Sequence, residues 1–152
     1  ILYLILKDLL DIPVLYLSRY IITHKADYYR LLQEVRTEDK WEEWILYILE
    51  AVEQTSLETI ELINRISDLM IKIQDKISRE LPKIYSKDLV EILFMHPYTK
   101  IDFLVDRLNI TRKTASKYLN ELENIGILKN IQIKNSKYFI NIELFDMLKK
   151  GI

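Results

Sequence analysis

The chain has 152 residues, enough for one large domain or two small ones, and its 49% hydrophobic and 30% charged residues exclude an intrinsically disordered chain. It contains no cysteine, which excludes disulfides and thiolate metal sites and is typical of a cytoplasmic protein. The net charge of −1 is unevenly divided: residues 1–80 carry 10 basic and 15 acidic residues, whereas residues 81–152 carry 12 and 8. A polyanionic partner is therefore expected at the C-terminal end only.

The N-terminal segment, residues 1–22, is apolar, but charged residues and Pro13 interrupt it. No run reaches the about 18 apolar residues that indicate a membrane span, and no signal peptide is visible, so we expect no membrane partner. Pro13 disfavours a helical conformation at Ile12 and divides the segment. The predicted helices run from Ile1 to about Leu10, from about Val14 to Ile22, and from near Ala26 to near Thr37.

A stripe of apolar residues at spacings of three and four begins at Trp41 and predicts a single long helix. Neither Gly nor Pro occurs between Trp41 and Leu81, and Pro82 ends the helix. At about 1.5 Å per residue its length is roughly 55–60 Å, more than a small domain covers. We therefore expect the helix to join two domains, residues 1–80 and 81–152, or to pair with another chain.

The C-terminal half has the pattern of three short helices followed by a hairpin. Ser86, Thr99 and Thr111 are predicted N-caps, because a hydroxyl oxygen can accept a hydrogen bond from the first turn of a helix. Asn109 and Gly126 are predicted to end the second and third helices in the left-handed conformation. Alternating residues then predict two strands, Ile127–Ile133 and Lys137–Ile142, and a last helix, Glu143–Lys149.

This order predicts a mainly α fold: a helical bundle segment, a long connecting helix, and a winged helix-turn-helix with a small β-hairpin. In such a motif the N-terminal half of the third helix enters the major groove of DNA, and the hairpin contacts flanking phosphates. Glu121 and Glu123 on the same helix would repel phosphate, so docking of a protein remains the alternative. The candidate nucleic-acid-binding residues are Arg112, Lys113, Thr114, Ser116, Lys117, Asn120, Lys134 and Lys137.

No catalytic set is visible in the chain. The two histidines, His24 and His96, have no clustered carboxylate or cysteine partners, so we predict no metal site and no catalytic residues. Tyr28 and Tyr29 are adjacent on a predicted helix and cannot both face the core. Such a pair can stack on a base or pack against neighbouring side chains, and composition favours packing.

The runs DYYRLLQ, from Asp27, and DKWEEW, from Asp39, follow a leucine-rich helix and a Pro-containing turn. Together they resemble the part of a Fic-domain protein that follows its catalytic motif, and many bacterial Fic proteins also carry a C-terminal winged helix. The resemblance covers nearly all of the chain. It implies that the helices of residues 1–80 belong to the C-terminal part of a Fic domain.

Fic proteins transfer AMP from Mg-bound ATP to a hydroxyl group of a target protein. Their signature, His-Pro-Phe-x-x-Gly-Asn-Gly-Arg, does not occur in this chain, where His96-Pro97 is followed by Tyr98. The resemblance thus implies a parent protein that is an AMP transferase with ATP as cofactor and a target protein as partner. The chain by itself is expected to be inactive and to need no cofactor. Carried over from the family, Tyr28 and Tyr29 would line the adenine.

Two alternatives lie outside this family. The chain could be a stand-alone winged-helix transcription regulator with an N-terminal helical dimerisation domain, or a protein-interaction adaptor with no nucleic-acid role. The sequence also predicts a homodimer through the long helix or through the apolar face of the first helices, because these helices are too apolar to remain uncovered.

Overall fold

The computed structural model of the protein describes residues 2–11, 13 and 15–150, and the side chain of Lys150 lies outside that description. The helix starts predicted at Ile1 and Val14, and the predicted conformation of Ile12, fall outside the described residues. The chain forms two compact units, residues 1–63 and 64–152. The division into domains at residues 80 and 81 stays a prediction.

The regular secondary structure in the described part of the first unit consists of helices. Its elements are α1 (Leu2–Leu6), α2 (Leu17–Thr23), α3 (Lys25–Glu38) and the N-terminal part of α4 (Trp41–Glu80). The predicted extent of the first two helices is wrong. Asp8 takes the left-handed conformation, with φ of 54°, which ends α1 early because Asp tolerates this conformation better than most residues. The chain is still non-helical at Leu15, which is buried there.

The core of the first unit is small and aromatic. Its buried residues are Tyr20 of α2, Leu31 of α3, and Tyr47 and Ala51 of α4. The ring centroids of Tyr20 and Tyr47 lie 5.4 Å apart. These contacts fix α2 and α3 against the first turns of α4.

The second unit consists of the C-terminal part of α4 and seven further described elements. Leu69, Ile73 and Ile77 of α4 belong to its core, which explains why the unit starts inside that helix. The further elements are α5 (Lys87–Met95), β1 (Tyr98–Thr99), α6 (Ile101–Leu108), α7 (Arg112–Asn124), β2 (Leu128–Ile133), β3 (Ser136–Asn141) and α8 (Ile142–Lys150).

The three strands form an antiparallel sheet in the order β1-β3-β2. The hairpin pairs Leu128 with Asn141 and Ile133 with Ser136, across a two-residue turn. The predicted cap at Thr99 is wrong. Thr99 lies in β1, opposite Phe139, and pairing with β3 keeps its backbone extended and its side chain 1% exposed. Lys100 is the N-cap residue of α6 and makes no side-chain cap.

The other predicted caps of the second unit, Ser86, Asn109, Thr111 and Gly126, are confirmed. Ser86 Oγ accepts a hydrogen bond from the Leu89 amide at 3.1 Å, and Thr111 Oγ1 accepts one from the Thr114 amide at 3.2 Å. Asn109 and Gly126 have φ values of 51° and 75°. The predicted fold class, mainly α with a winged helix-like arrangement, is confirmed. Within the described residues, no helix combines the length and the apolar character that crossing a membrane requires.

Candidate functional site

The helix α7 is anchored to the second unit by a buried face and presents a polar face to solvent. Ala115, Leu119 and Leu122 are each 0% exposed. Their spacing of three and four residues places the other candidate side chains on the remaining surface of the helix. Arg112, Lys113, Lys117 and Asn120 are exposed, whereas Thr114 and Ser116 are half-buried.

The cations of α7 differ in how far nearby carboxylates neutralise them. The Arg112 guanidinium forms an ion pair with Asp102 of α6. Lys117 Nζ lies 3.7 Å from a carboxylate oxygen of Glu121, which is a long separation for an ion pair. Lys113 takes part in none of the ion pairs of the described residues. Lys113 therefore offers the least compensated charge on this helix.

The two acidic residues of α7 have separate structural partners. Glu123 Oε1 accepts hydrogen bonds from the backbone amide of Asn130, at 3.1 Å, and from its side-chain amide. Glu123 thus connects α7 to β2, and its carboxylate has a structural partner in the fold. Glu121 is the partner of Lys117. The sequence alone did not indicate the contact between Glu123 and Asn130, which depends on the folded position of β2.

The hairpin places two of the predicted cations at its tip. Lys134 is exposed in the turn, with φ of 53°, and Lys137 is exposed at the start of β3 with Nζ 4.7 Å from the Phe139 ring centroid. Lys100, which was not predicted as a site residue, lies with Nζ 4.3 Å from the Tyr138 ring centroid. In the sequence, Lys100 is marked only by its position as a basic residue just before α6.

The tyrosine pair of α3 is divided between core and surface. Tyr28 is half-buried, with its ring centroid 5.3 Å from Trp44 and 6.4 Å from Tyr47. Tyr29 is 59% exposed and makes an edge contact with Tyr28 at 5.5 Å. Lys25 Nζ lies 5.8 Å from the Tyr29 ring centroid. Tyr28 therefore packs, whereas most of the Tyr29 side chain remains accessible.

A cavity of about 460 Å³ in the first unit is lined by residues of α2, α3 and α4. Its lining includes Tyr20, His24, Arg30 and Tyr47 but not Tyr28 or Tyr29. His24 stacks on Tyr20 with ring centroids 4.1 Å apart, and its Nδ1 lies 3.0 Å from the Tyr20 carbonyl oxygen. Burial raises the pKa of the Tyr20 phenol, and the nearby Glu50 carboxylate raises it further. Neither Tyr20 nor Tyr47 belongs to a sequence motif, so their place beside this cavity becomes visible only in the folded chain.

In the described part of the chain, no group of three or more His, Asp or Glu side chains is arranged to hold a metal ion. The arrangement of residues in the two units thus offers two kinds of surface. One is the basic face of α7 with the wing, and the other is the exposed aromatic ring at Tyr29.

The sequence matches the family described as protein adenylyltransferase SoFic-like, C-terminal domain, over residues 69–144. This stretch is half of the chain and extends from the last turns of α4, through the whole helix-turn-helix and hairpin, into α8. The match agrees with the resemblance to Fic proteins that the residues before it carry. The chain therefore belongs to the family of SoFic-like protein adenylyltransferase C-terminal domains, as the C-terminal part of a Fic protein.

Proposed function

We propose that this chain forms the C-terminal part of an AMP transferase. Mg-bound ATP is the AMP donor, a hydroxyl group of a target protein is the acceptor, and pyrophosphate is released. The observation that carries the proposal is the family match over residues 69–144. The runs DYYRLLQ and DKWEEW in the first unit support it. Because residues 1–152 contain no His-Pro-Phe-x-x-Gly-Asn-Gly-Arg loop, the proposal assigns the chemical step to another part of the protein.

The first unit fits a supporting role at the adenine. Tyr29 is 59% exposed, so its ring can stack on a base, and the ring of Tyr28 is held by Trp44 and Tyr47. Lys25, close to Tyr29, supplies a positive charge at the same surface. In this proposal Tyr29 contacts the base and Tyr28 positions Tyr29 through their edge contact.

The test is transfer of AMP by the full-length protein, measured with ATP labelled in the adenosine moiety and with cell proteins as acceptors. A base–aromatic stack is worth about 1–3 kcal/mol, so Tyr29→Ala is expected to raise the KM for ATP roughly tenfold. Tyr29→Phe retains the aromatic ring, so its KM for ATP should equal that of the unsubstituted protein. Tyr16→Ala is the matched control, because Tyr16 is exposed and lies outside the pair. No labelling by the folded full-length protein would overturn the proposal.

For the second unit, we propose binding of duplex DNA, with the N-terminal half of α7 in the major groove and the wing on the backbone. The supporting observation is the exposed cationic face of α7, on which Lys113 is unpaired within the described residues while Glu123 is engaged with Asn130. Asn120, exposed one turn beyond Lys117, is suited to adenine, whose major-groove edge offers one acceptor and one donor. A protein-docking role does not require this concentration of cations.

The test is a salt titration with a fluorescent duplex, followed by anisotropy. Each phosphate contact adds about 0.9 to the negative slope of the logarithm of affinity against the logarithm of salt. With phosphate contacts from the wing and from α7, we expect a slope of about −3 or steeper. Lys134→Ala should weaken binding to all duplexes alike and reduce the slope by about 1. A folded sample that does not bind duplex DNA at low salt would contradict the proposal.

A further inference from the structure

The second unit contains a basic cleft of about 600 Å³ that no motif in the sequence indicated. We call it the Lys83 cleft. Lys83, Lys113 and Lys117 contribute its charge, and the described residues that line it include no acidic side chain. The nearest carboxylate described for these lysines is that of Glu121, 3.7 Å from Lys117 Nζ. Because three ammonium groups around one cleft repel each other, an anion bound there lowers the electrostatic energy. The full lining is Lys83, Ile84, Lys113, Thr114, Lys117 and Tyr118.

Lys83 lies on an anchored segment between α4 and α5. The Ile84 amide donates a hydrogen bond to the Leu81 carbonyl oxygen at 3.0 Å, and the Ile84 side chain is only 7% exposed. The Leu81 amide in turn donates to the Ile77 carbonyl oxygen at 2.8 Å, so the backbone continues directly from α4. Lys83 is exposed and belongs to none of the ion pairs found among the described residues. The Lys83 side chain therefore extends from an anchored backbone, and its charge is available to a ligand.

The opposite wall of the cleft is one face of α7. Lys113 and Lys117 are four residues apart, as are Thr114 and Tyr118, so each pair is stacked along the helix. Thr114 and Tyr118 are half-buried. Thr114 Oγ1 lies 2.9 Å from Thr111 Oγ1, which holds its hydroxyl at the first turn of the helix. Hydroxyl and ammonium groups at one site are the usual donors to phosphate oxygens.

We propose that the Lys83 cleft binds a phosphate group of the nucleic-acid backbone, with Lys83 as a contact from outside the helix-turn-helix. The inference rests on the proposed binding of duplex DNA and extends it to the segment before α5. A phosphate fits better than a base edge, because lysine acts as a point charge without the paired geometry that base recognition needs. A backbone contact here fixes how the duplex lies against α7 and leaves sequence discrimination to other residues.

The experiment compares salt titrations of duplex DNA with the parent chain, Lys83→Ala and Lys83→Arg. Loss of one phosphate contact should reduce the slope by about 0.9 and weaken binding to all sequences alike. Lys83→Arg keeps the charge and should restore both the slope and the affinity. Lys149→Ala is the matched control, since Lys149 is an exposed lysine of α8 outside the cleft and its loss changes the net charge equally.

The outcomes separate the two proposals. If the parent binds duplex DNA and Lys83→Ala has the same slope as Lys149→Ala, the cleft proposal is overturned and DNA binding stands. If the folded parent does not bind duplex DNA, the proposed DNA binding is overturned, and the cleft proposal falls with it. Tighter binding of poly-glutamate than of duplex DNA at the same salt would assign the cleft to an acidic protein and overturn its assignment to nucleic acid. Circular dichroism of Lys83→Ala checks that the fold is retained.

Discussion

The hydroxyl group of Thr99 is buried in β1, and its Oγ1 has no hydrogen-bond partner within the described residues. A buried hydroxyl that loses its bonds to water costs about 1–3 kcal/mol, and a methyl group of the same size carries no such cost. We therefore predict that Thr99→Val raises the free energy of unfolding by about 1 kcal/mol. Urea denaturation measures the change. Thr99→Ala is the control for side-chain volume and should be destabilising, because it leaves a void beside Phe139.

A decrease in stability for Thr99→Val would contradict this prediction. It would mean that the hydroxyl has a partner, such as an ordered water, that the valine variant loses.

Two buried tyrosines, Tyr20 and Tyr47, are expected to make the stability of the first unit depend on pH in the alkaline range. Burial raises the pKa of Tyr20 and of Tyr47 above the unfolded value of about 10. The folded state therefore holds these protons more tightly than the unfolded state. The contribution of these tyrosines to the free energy of unfolding is fully present below about pH 10, and it is lost as the pH rises through their pKa in the folded state. We predict that the free energy of unfolding of the first unit falls above about pH 10.

The measurement is denaturation at a series of alkaline pH values, with tyrosinate absorbance recorded in parallel. Tyr47→Phe keeps the packing ring and removes one titrating group, so its stability should fall less steeply with pH. Tyr16→Phe, at an exposed position, is the control and should follow the parent curve. If the free energy of unfolding falls equally steeply with pH in Tyr47→Phe and in the unsubstituted chain, Tyr47 does not contribute to the pH dependence.

The helix ends of the second unit could be predicted from the sequence where they depend on nearby residues. They could not be predicted where they depend on contacts with residues distant in the chain. Ser86, Asn109, Thr111 and Gly126 act within one turn of their own position, so their roles follow from residue type alone. The hairpin was predicted within a few residues for the same reason. Thr99 was misjudged because its conformation depends on pairing with β3, about forty residues away in sequence.

In the candidate site, too, features set by nearby residues could be predicted, whereas contacts between different elements could not. The exposed face of α7 could be predicted from helix periodicity, because Ala115, Leu119 and Leu122 mark the inward side. The ion pair of Arg112 with Asp102 and the approach of Lys83 to α7 could not be predicted, since each joins different elements. The cavity beside Tyr20 and Tyr47 also depends on how α2 and α4 pack.

The N-cap of α7 gives a prediction at this scale, because one hydroxyl starts the helix that carries the DNA-facing residues. Thr111 Oγ1 accepts from the Thr114 amide at 3.2 Å. Thr111→Ala should lower the free energy of unfolding by about 1 kcal/mol, whereas Thr111→Ser keeps an acceptor and should lie close to the parent. Urea denaturation of the three proteins measures this. Equal stability of the alanine and serine variants would show that the cap contributes little.

The first part of α4 exposes apolar side chains that folded proteins ordinarily cover. Leu46, Leu49, Ile60 and Ile63 are all more than half exposed. Their spacing along the chain fits the a and d positions of a heptad repeat, in which Glu53 and Ser56 occupy the a and d positions of the middle heptad. We propose that a second copy of the chain covers this seam. In this proposal, residues 46–63 of α4 form the interface of the homodimer expected from the sequence.

The heptad pattern also selects the direction of pairing. In a parallel pair, Glu53 would face Glu53 of the second copy, and like charges at the seam are destabilising. In an antiparallel pair, Leu46 faces Ile63, Leu49 faces Ile60, and Glu53 faces Ser56, so every apolar residue meets an apolar one. This arrangement is self-complementary about a two-fold axis, as symmetric dimers require.

We predict an antiparallel dimer at micromolar concentration, measured by sedimentation equilibrium. Leu49→Glu places a charge in the seam and should give a monomer, whereas Ile71→Glu, exposed on the same helix but outside residues 46–63, should remain dimeric. The chain has no cysteine, so cross-linking can report the direction. A mixture of Glu53→Cys and Ser56→Cys chains should form a disulfide between the two variants. A parent chain that stays monomeric, or Glu53→Cys chains that cross-link mainly to each other, would contradict antiparallel pairing.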